Sequence, residues 1–69
     1  MSEKQFQLRD DTDGTDVLGR VSEDNVYIKT YGTVVEGKQP KDLEVGESTL
    51  KRYALSGTRP TVYRITRVS

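Results

Sequence analysis

Eighteen of the 69 residues are Val, Ile or Thr, and a single one, Ala54, is alanine. β-Branched side chains fit a pleated sheet better than a helix, and the strongest helix former is almost missing. Six glycines, at positions 14, 19, 32, 37, 46 and 57, cut the chain into short runs. Short β-prone runs at that spacing predict a small antiparallel sandwich or barrel. The chain is expected to be all-β.

The runs can be read one at a time. Residues 5–9 alternate, with Phe6 and Leu8 on one face, the period of a half-buried strand. Residues 10–15, DDTDGT, read as a polar turn, and 16–22 as a second strand with Val17 and Val21 sharing a face. Residues 23–25 form a hairpin loop in which Asn25 suits a left-handed backbone. Residues 26–31 read as a third strand, Val26 and Ile28 opposing Tyr27 and Tyr31, with 33–35 continuing after a bend at Gly32. Residues 36–42 are a loop with Gly37 and Pro40, and 43–45 a short strand. Residues 48–56 fit a strand or a short helix capped by Ser48, and the strand is favoured because 57–60, GTRP, makes a turn into 61–68. That last run is the most β-prone of all. The expectation is one domain over residues 1–69, β-rich throughout or with one short helix at 48–56. Its five or six antiparallel strands would form a small barrel or half-open sandwich. Phe6, Leu8, Val17, Val21, Val26, Ile28, Val45, Leu50 and Ile65 are the expected core.

A chain this short buries only about 60% of its unfolded surface. It has no cysteine and no histidine, so disulfides, His- or Cys-based zinc and Cys- or His-dependent catalysis are excluded. No apolar run approaches the length of a membrane-spanning helix, and the first four residues are too polar for a signal peptide. These features predict a cytoplasmic, non-enzymatic module with no cofactor and no membrane contact.

The net charge of zero hides a segregation. Residues 1–47 hold all eleven acids and six cations, a net −5, whereas 48–69 hold five cations and no acid. Such asymmetry points to an acidic partner or nucleic acid. The candidate binding residues are Lys51, Arg52, Tyr53, Arg59, Tyr63, Arg64 and Arg67, on a ribbon formed by 48–56 and 61–68 with Arg59 at its tip. Arginine forks match carboxylate and phosphate, and the tyrosines add stacking surface. The competing reading is that the basic half neutralises the acidic half within the fold.

Three motifs come close to a known pattern. Asp11, Asp13 and Asp16 flank Gly14 like a calcium loop, but Arg9 and Arg20 occupy both anchoring carboxylate positions, so a turn is the better reading and no metal is expected. Residues 49–64 resemble a helix-turn-helix, yet the spacings from Ala54 to Gly57 and from Gly57 to Val62 are each one residue short. Ser48 and Lys51 match S-x-x-K, a pattern that needs a far larger cleft. The sequence therefore favours a binding module, adaptor- or inhibitor-like, that applies its Arg-rich ribbon to an acidic protein surface. The alternative is a nucleic-acid binder using the same segment. A homodimer would form through an open sheet edge, with 61–68 as the pairing strand.

Overall fold

The computed structural model of the chain describes residues 4–11, 16–29, 31–54, 57 and 59–69, with the side chains of 16–18 left aside. Five strands form one antiparallel sheet: β1 (Gln5–Asp10), β2 (Asp16–Ser22), β3 (Thr33–Glu36), β4 (Ser48–Tyr53) and β5 (Thr61–Arg67). Their order is β2-β1-β5-β4-β3, so β2 and β3 end the sheet on opposite sides and it stays open. The half-open β architecture is the one observed. The six-residue turn around Gly14 and the calcium-loop reading rest on 12–15, outside the described residues.

The chain must travel from one edge of the sheet to the other between β2 and β3. It does so through a short helix, α1 (Val26–Lys29), laid over the sheet's inner face. Residues 26–29, within the run 26–31 expected as a strand, are thus corrected to a helical turn. Asn25 explains the difference: its side-chain oxygen accepts the Tyr27 N–H at 3.0 Å, and its carbonyl accepts from Lys29 at 2.9 Å. That is a helix N-cap. No described non-glycine residue has a positive φ, so Asn25 does not take the left-handed turn position expected of it.

Residues 43–45 are not a strand either. Leu43 follows a single 3-10 turn (Pro40–Asp42) and inserts into the core, while Val45 is 62% exposed. The Glu47 carboxylate accepts the Glu44 N–H at 2.9 Å and meets Lys38 at 3.1 Å. Both contacts hold its pKa below the ordinary carboxylate value, the backbone bond most of all. The loop is tied shut at that point.

The core consists of Phe6 and Leu8 from β1, Ile28 from α1, Leu43, and Ile65 from β5, with Val21 and Tyr27 packed against it. Three expected members depart, and a fourth is not among the described side chains. Val26 and Val45 are exposed, Leu50 is half-buried on the other face, and the Val17 side chain is outside the described set. The inner face is covered by α1 and the 39–47 segment, and among the described residues none forms a second layer on the outer face.

Residues 48–53 are a strand, not the helix considered for 48–56, and residues 55–56 are outside the described set. With β4 and β5 both extended, no helix-turn-helix exists. The strand expected at a free edge, 61–68, lies instead at the centre, paired with β1 and β4. Its β-prone sequence, with no Pro or Gly between Thr61 and Arg67, suits a position with hydrogen bonds on both sides. A homodimer through that strand is therefore not open to this fold. No helix among the described residues is long and apolar enough to cross a membrane.

Candidate functional site

Residues opposite one another in an antiparallel register share a face. The pairs Lys51↔Tyr63 and Thr49↔Ile65 therefore place Lys51, Tyr53, Tyr63, Ile65 and Arg67 on the inner face. Leu50↔Arg64 and Arg52↔Val62 place Arg52 and Arg64 on the outer face. The seven residues expected to act as one ribbon surface are divided between the two sides of the sheet.

On the inner side, beyond the aliphatic core, all four tyrosines of the chain converge. Tyr27 lies on α1, Tyr31 just after it, Tyr53 at the end of β4 and Tyr63 on β5. The Tyr27 ring meets Tyr53 edge-on at 5.0 Å between centroids, Tyr63 at 5.6 Å and Tyr31 at 6.1 Å. Tyr31 stacks on Tyr53 at 5.4 Å with 7° between planes. Edge-to-face and offset-stacked contacts of this kind each stabilise by about 0.5–1.5 kcal/mol beyond area burial. The Tyr53 hydroxyl donates to the Tyr27 carbonyl, fastening α1 to the sheet.

Between these rings lies a cavity of about 450 Å³, whose wall is completed by Val26, Thr61 and Arg59. That volume is within the range of small-ligand and peptide-anchoring sites. Burial, with the neighbouring phenols Tyr27 and Tyr63, pushes the Tyr53 pKa well above 10. Tyr63 is shifted the same way by burial, by Tyr27 and by Asp10, its neighbour across the β1–β5 pair. Arg59 is the charged residue in the cavity wall.

Lys51 lies behind the rings. It is 3% exposed, its ammonium donates to the Tyr27 carbonyl at 3.4 Å and sits 6.0 Å from the Tyr53 ring centroid. Burial lowers its pKa. Arg67 is at the far end of β5, where its guanidinium donates to the carbonyls of Leu43 at 2.9 Å and Ser69 at 3.1 Å. It clamps the terminal residues onto the 39–47 loop. Arg64 pairs with Asp11 at 3.4 Å and reaches the Ser48 hydroxyl at 3.4 Å. Arg52 is exposed on the outer face.

The structure thus brings Tyr53, Tyr63 and Arg59 together in one wall and sends Arg52, Arg64 and Arg67 elsewhere. Tyr27, Tyr31, Val26 and Thr61 complete the site without having been marked in the sequence. Tyr27 and Tyr31 are spaced i, i+4, which on a helical turn puts them on one side, and that spacing was the available signal. Comparison with protein-family models, with curated proteins and with solved structures finds no match.

Proposed function

We propose that this chain is a non-enzymatic binding module that holds an extended segment of a partner protein in the tyrosine-lined cleft, with a carboxylate of that segment set against Arg59. The observation that carries this reading is the convergence of four tyrosines and one arginine around a single cavity. Tyr and Arg are the residue types that dominate protein-binding hot spots. Tyrosine offers large contact area with little side-chain entropy to lose, and its hydroxyl can bond the backbone of an extended peptide.

The electrostatics favour a single anionic group over a polyanion. One cation lines the cavity, and Asp10 is near enough to Tyr63 to raise its pKa. A nucleic-acid strand threaded along the rings would carry its phosphates past that carboxylate. An acidic peptide meets Arg59 with one side chain and leaves the Asp10 side to neutral groups. The cysteine-free sequence fits a reducing compartment, and the cytoplasm is the proposed location. Self-association, where it occurs, is assigned to β2 or β3, the strands that end the sheet.

The chain contains no tryptophan, and every tyrosine lines the cleft, so intrinsic tyrosine emission reports occupancy directly. The test is a titration with a pool of extended peptides bearing one Glu among Pro, Leu and Val, and with the same pool carrying Gln. The Glu pool should change the emission saturably, and Arg59→Gln should weaken that response about tenfold without altering the far-ultraviolet spectrum. An unchanged emission, or equal response to the Glu and Gln pools, contradicts the proposal.

A further inference from the structure

The outer face of the sheet carries a second, independent arrangement. The register pairs Gln7↔Arg20, Arg9↔Arg64, Leu50↔Arg64 and Arg52↔Val62 place Arg20, Arg9, Arg64 and Arg52 on this face, on four adjacent strands. Arg20 lies one two-residue step before Arg9 and Arg64, and Arg52 one such step beyond them. The four form a diagonal about 20 Å long, given strands about 4.8 Å apart and a rise of about 3.4 Å per residue. Two come from the acidic half of the sequence and two from the basic half.

The lysines are distributed differently. Lys4, Lys29 and Lys38 pair with Glu23, Asp24 and Glu47 in the connections at 3.5, 3.7 and 3.1 Å. Loop charges are thereby matched locally, while four of the six arginines gather on the uncovered face. Gln7, Ser48 and Thr66 stand in the same rows as further hydrogen-bonding groups. Acidic groups near the diagonal are Asp11, paired with Arg64, Glu36 on β3, and Asp16, whose backbone is opposite Arg9.

We infer that this face binds the phosphate backbone of duplex DNA without reading its sequence. Arginine forks donate in pairs to phosphate oxygens, and serine, threonine and glutamine are the usual auxiliary phosphate donors. A duplex is preferred to a single strand because Phe6 belongs to the core and all four tyrosines line the cleft on the other side. The outer face has no ring on which unpaired bases could stack, and stacking is what single-strand binders rely on. The inference does not depend on the cleft, since the two surfaces are on opposite sides of the sheet.

The test is fluorescence anisotropy of a labelled duplex of about 20 base pairs with the full chain, from about 50 to 200 mM salt. Binding through about two or three phosphates should weaken with a log–log slope near −2. The Arg20→Glu/Arg52→Glu variant, altered at two exposed positions, should bind at least tenfold more weakly and keep the wild-type melting temperature and peptide response. The milder Arg52→Gln should reduce the salt slope by about one. No binding at low salt, a slope near zero, or a double variant that binds like wild type overturns the inference. So does a single-stranded oligonucleotide bound as tightly as the duplex, or displacement of the duplex by polyglutamate at equal charge.

Discussion

Two residues hold the cleft in shape, and they do so differently. Gly32 follows Tyr31 with φ +83°, and a Cβ there would fall 2.6 Å from Cδ1 of the Tyr53 ring. Only a residue without a side chain lets the backbone turn that closely over the ring. Gly32→Ala should cost roughly 2–5 kcal/mol, combining about 1–2 for left-handed backbone with about 1–3 for overpacking. Urea unfolding measures it, and a loss below about 0.5 kcal/mol would contradict the packing described. Tyr53 acts through its hydroxyl. Tyr53→Phe removes the bond to the Tyr27 carbonyl and should cost about 1 kcal/mol at pH 8. The cost should depend on pH, with a sign that follows from the shifted groups. The folded pKa values of Tyr53 and Tyr63 lie above 10, so below pH 10 both states are protonated and stability is unaffected. Above about pH 10 the unfolded chain loses these protons first, and stability falls. Lys51 acts in the opposite sense, its lowered pKa adding stability as pH rises towards 10.5 and nothing beyond. Lys51 is common to wild type and Tyr53→Phe, whereas only wild type carries the Tyr53 phenol, so the gap between them should narrow above about pH 10. A gap constant from pH 8 to 11 would show that Tyr53 is not shielded from ionisation.

Among the elements, α1 matters most and was the least legible. It has four residues, too few for a helical period to show, and its sequence Val-Tyr-Ile-Lys is β-prone. Tertiary demand overrides propensity here: the chain has to cross from β2 to β3 over the inner face, and Asn25 caps the turn that does it. Ile28 belongs to the core in either reading. Ile28→Ala should cost about 2–5 kcal/mol, given that the side chain is 3% exposed. Asn25→Ala should cost about 0.5–2 kcal/mol by uncapping α1, and it should perturb the tyrosine environment more than its stability loss suggests. Thermal melts monitored by tyrosine emission test both. A strand at 26–31 would leave Asn25→Ala nearly silent. β1 and β5, by contrast, were legible residue by residue, since Phe6, Leu8 and Ile65 follow the two-residue period and all three are fully buried. The position of β5 in the sheet was not. The terminal strand of an up-and-down order would lie at an edge, and only the long-range pairing of β1 with β5 makes it central.

Across the whole molecule, the separation of charge along the sequence becomes a separation between connections and sheet faces. Three of the five lysines meet acids outside the strands, four of the six arginines collect on the outer face, and the tyrosines fill the inner cleft around Arg59. The expected C-terminal ribbon surface does not exist as one patch, because strand alternation sends its residues to opposite sides. Tyr53, Tyr63 and Arg59 were named in the sequence as binding residues because tyrosine and arginine suit recognition. Tyr27 and Tyr31 share a face in a strand as well as in a helical turn, and what the sequence did not show is that α1 lays that face over β4 and β5. The proposed partner binding takes place in the tyrosine cleft, through Arg59. The most direct measurement is NMR mapping of shift changes when the Glu-bearing peptide pool is added. The ring protons of all four tyrosines and the side-chain Nε–H of Arg59 should move together and saturate, with Arg20 and Arg52 unmoved. Changes confined to Arg20, Arg52 and Arg64, with the tyrosine rings silent, would contradict it.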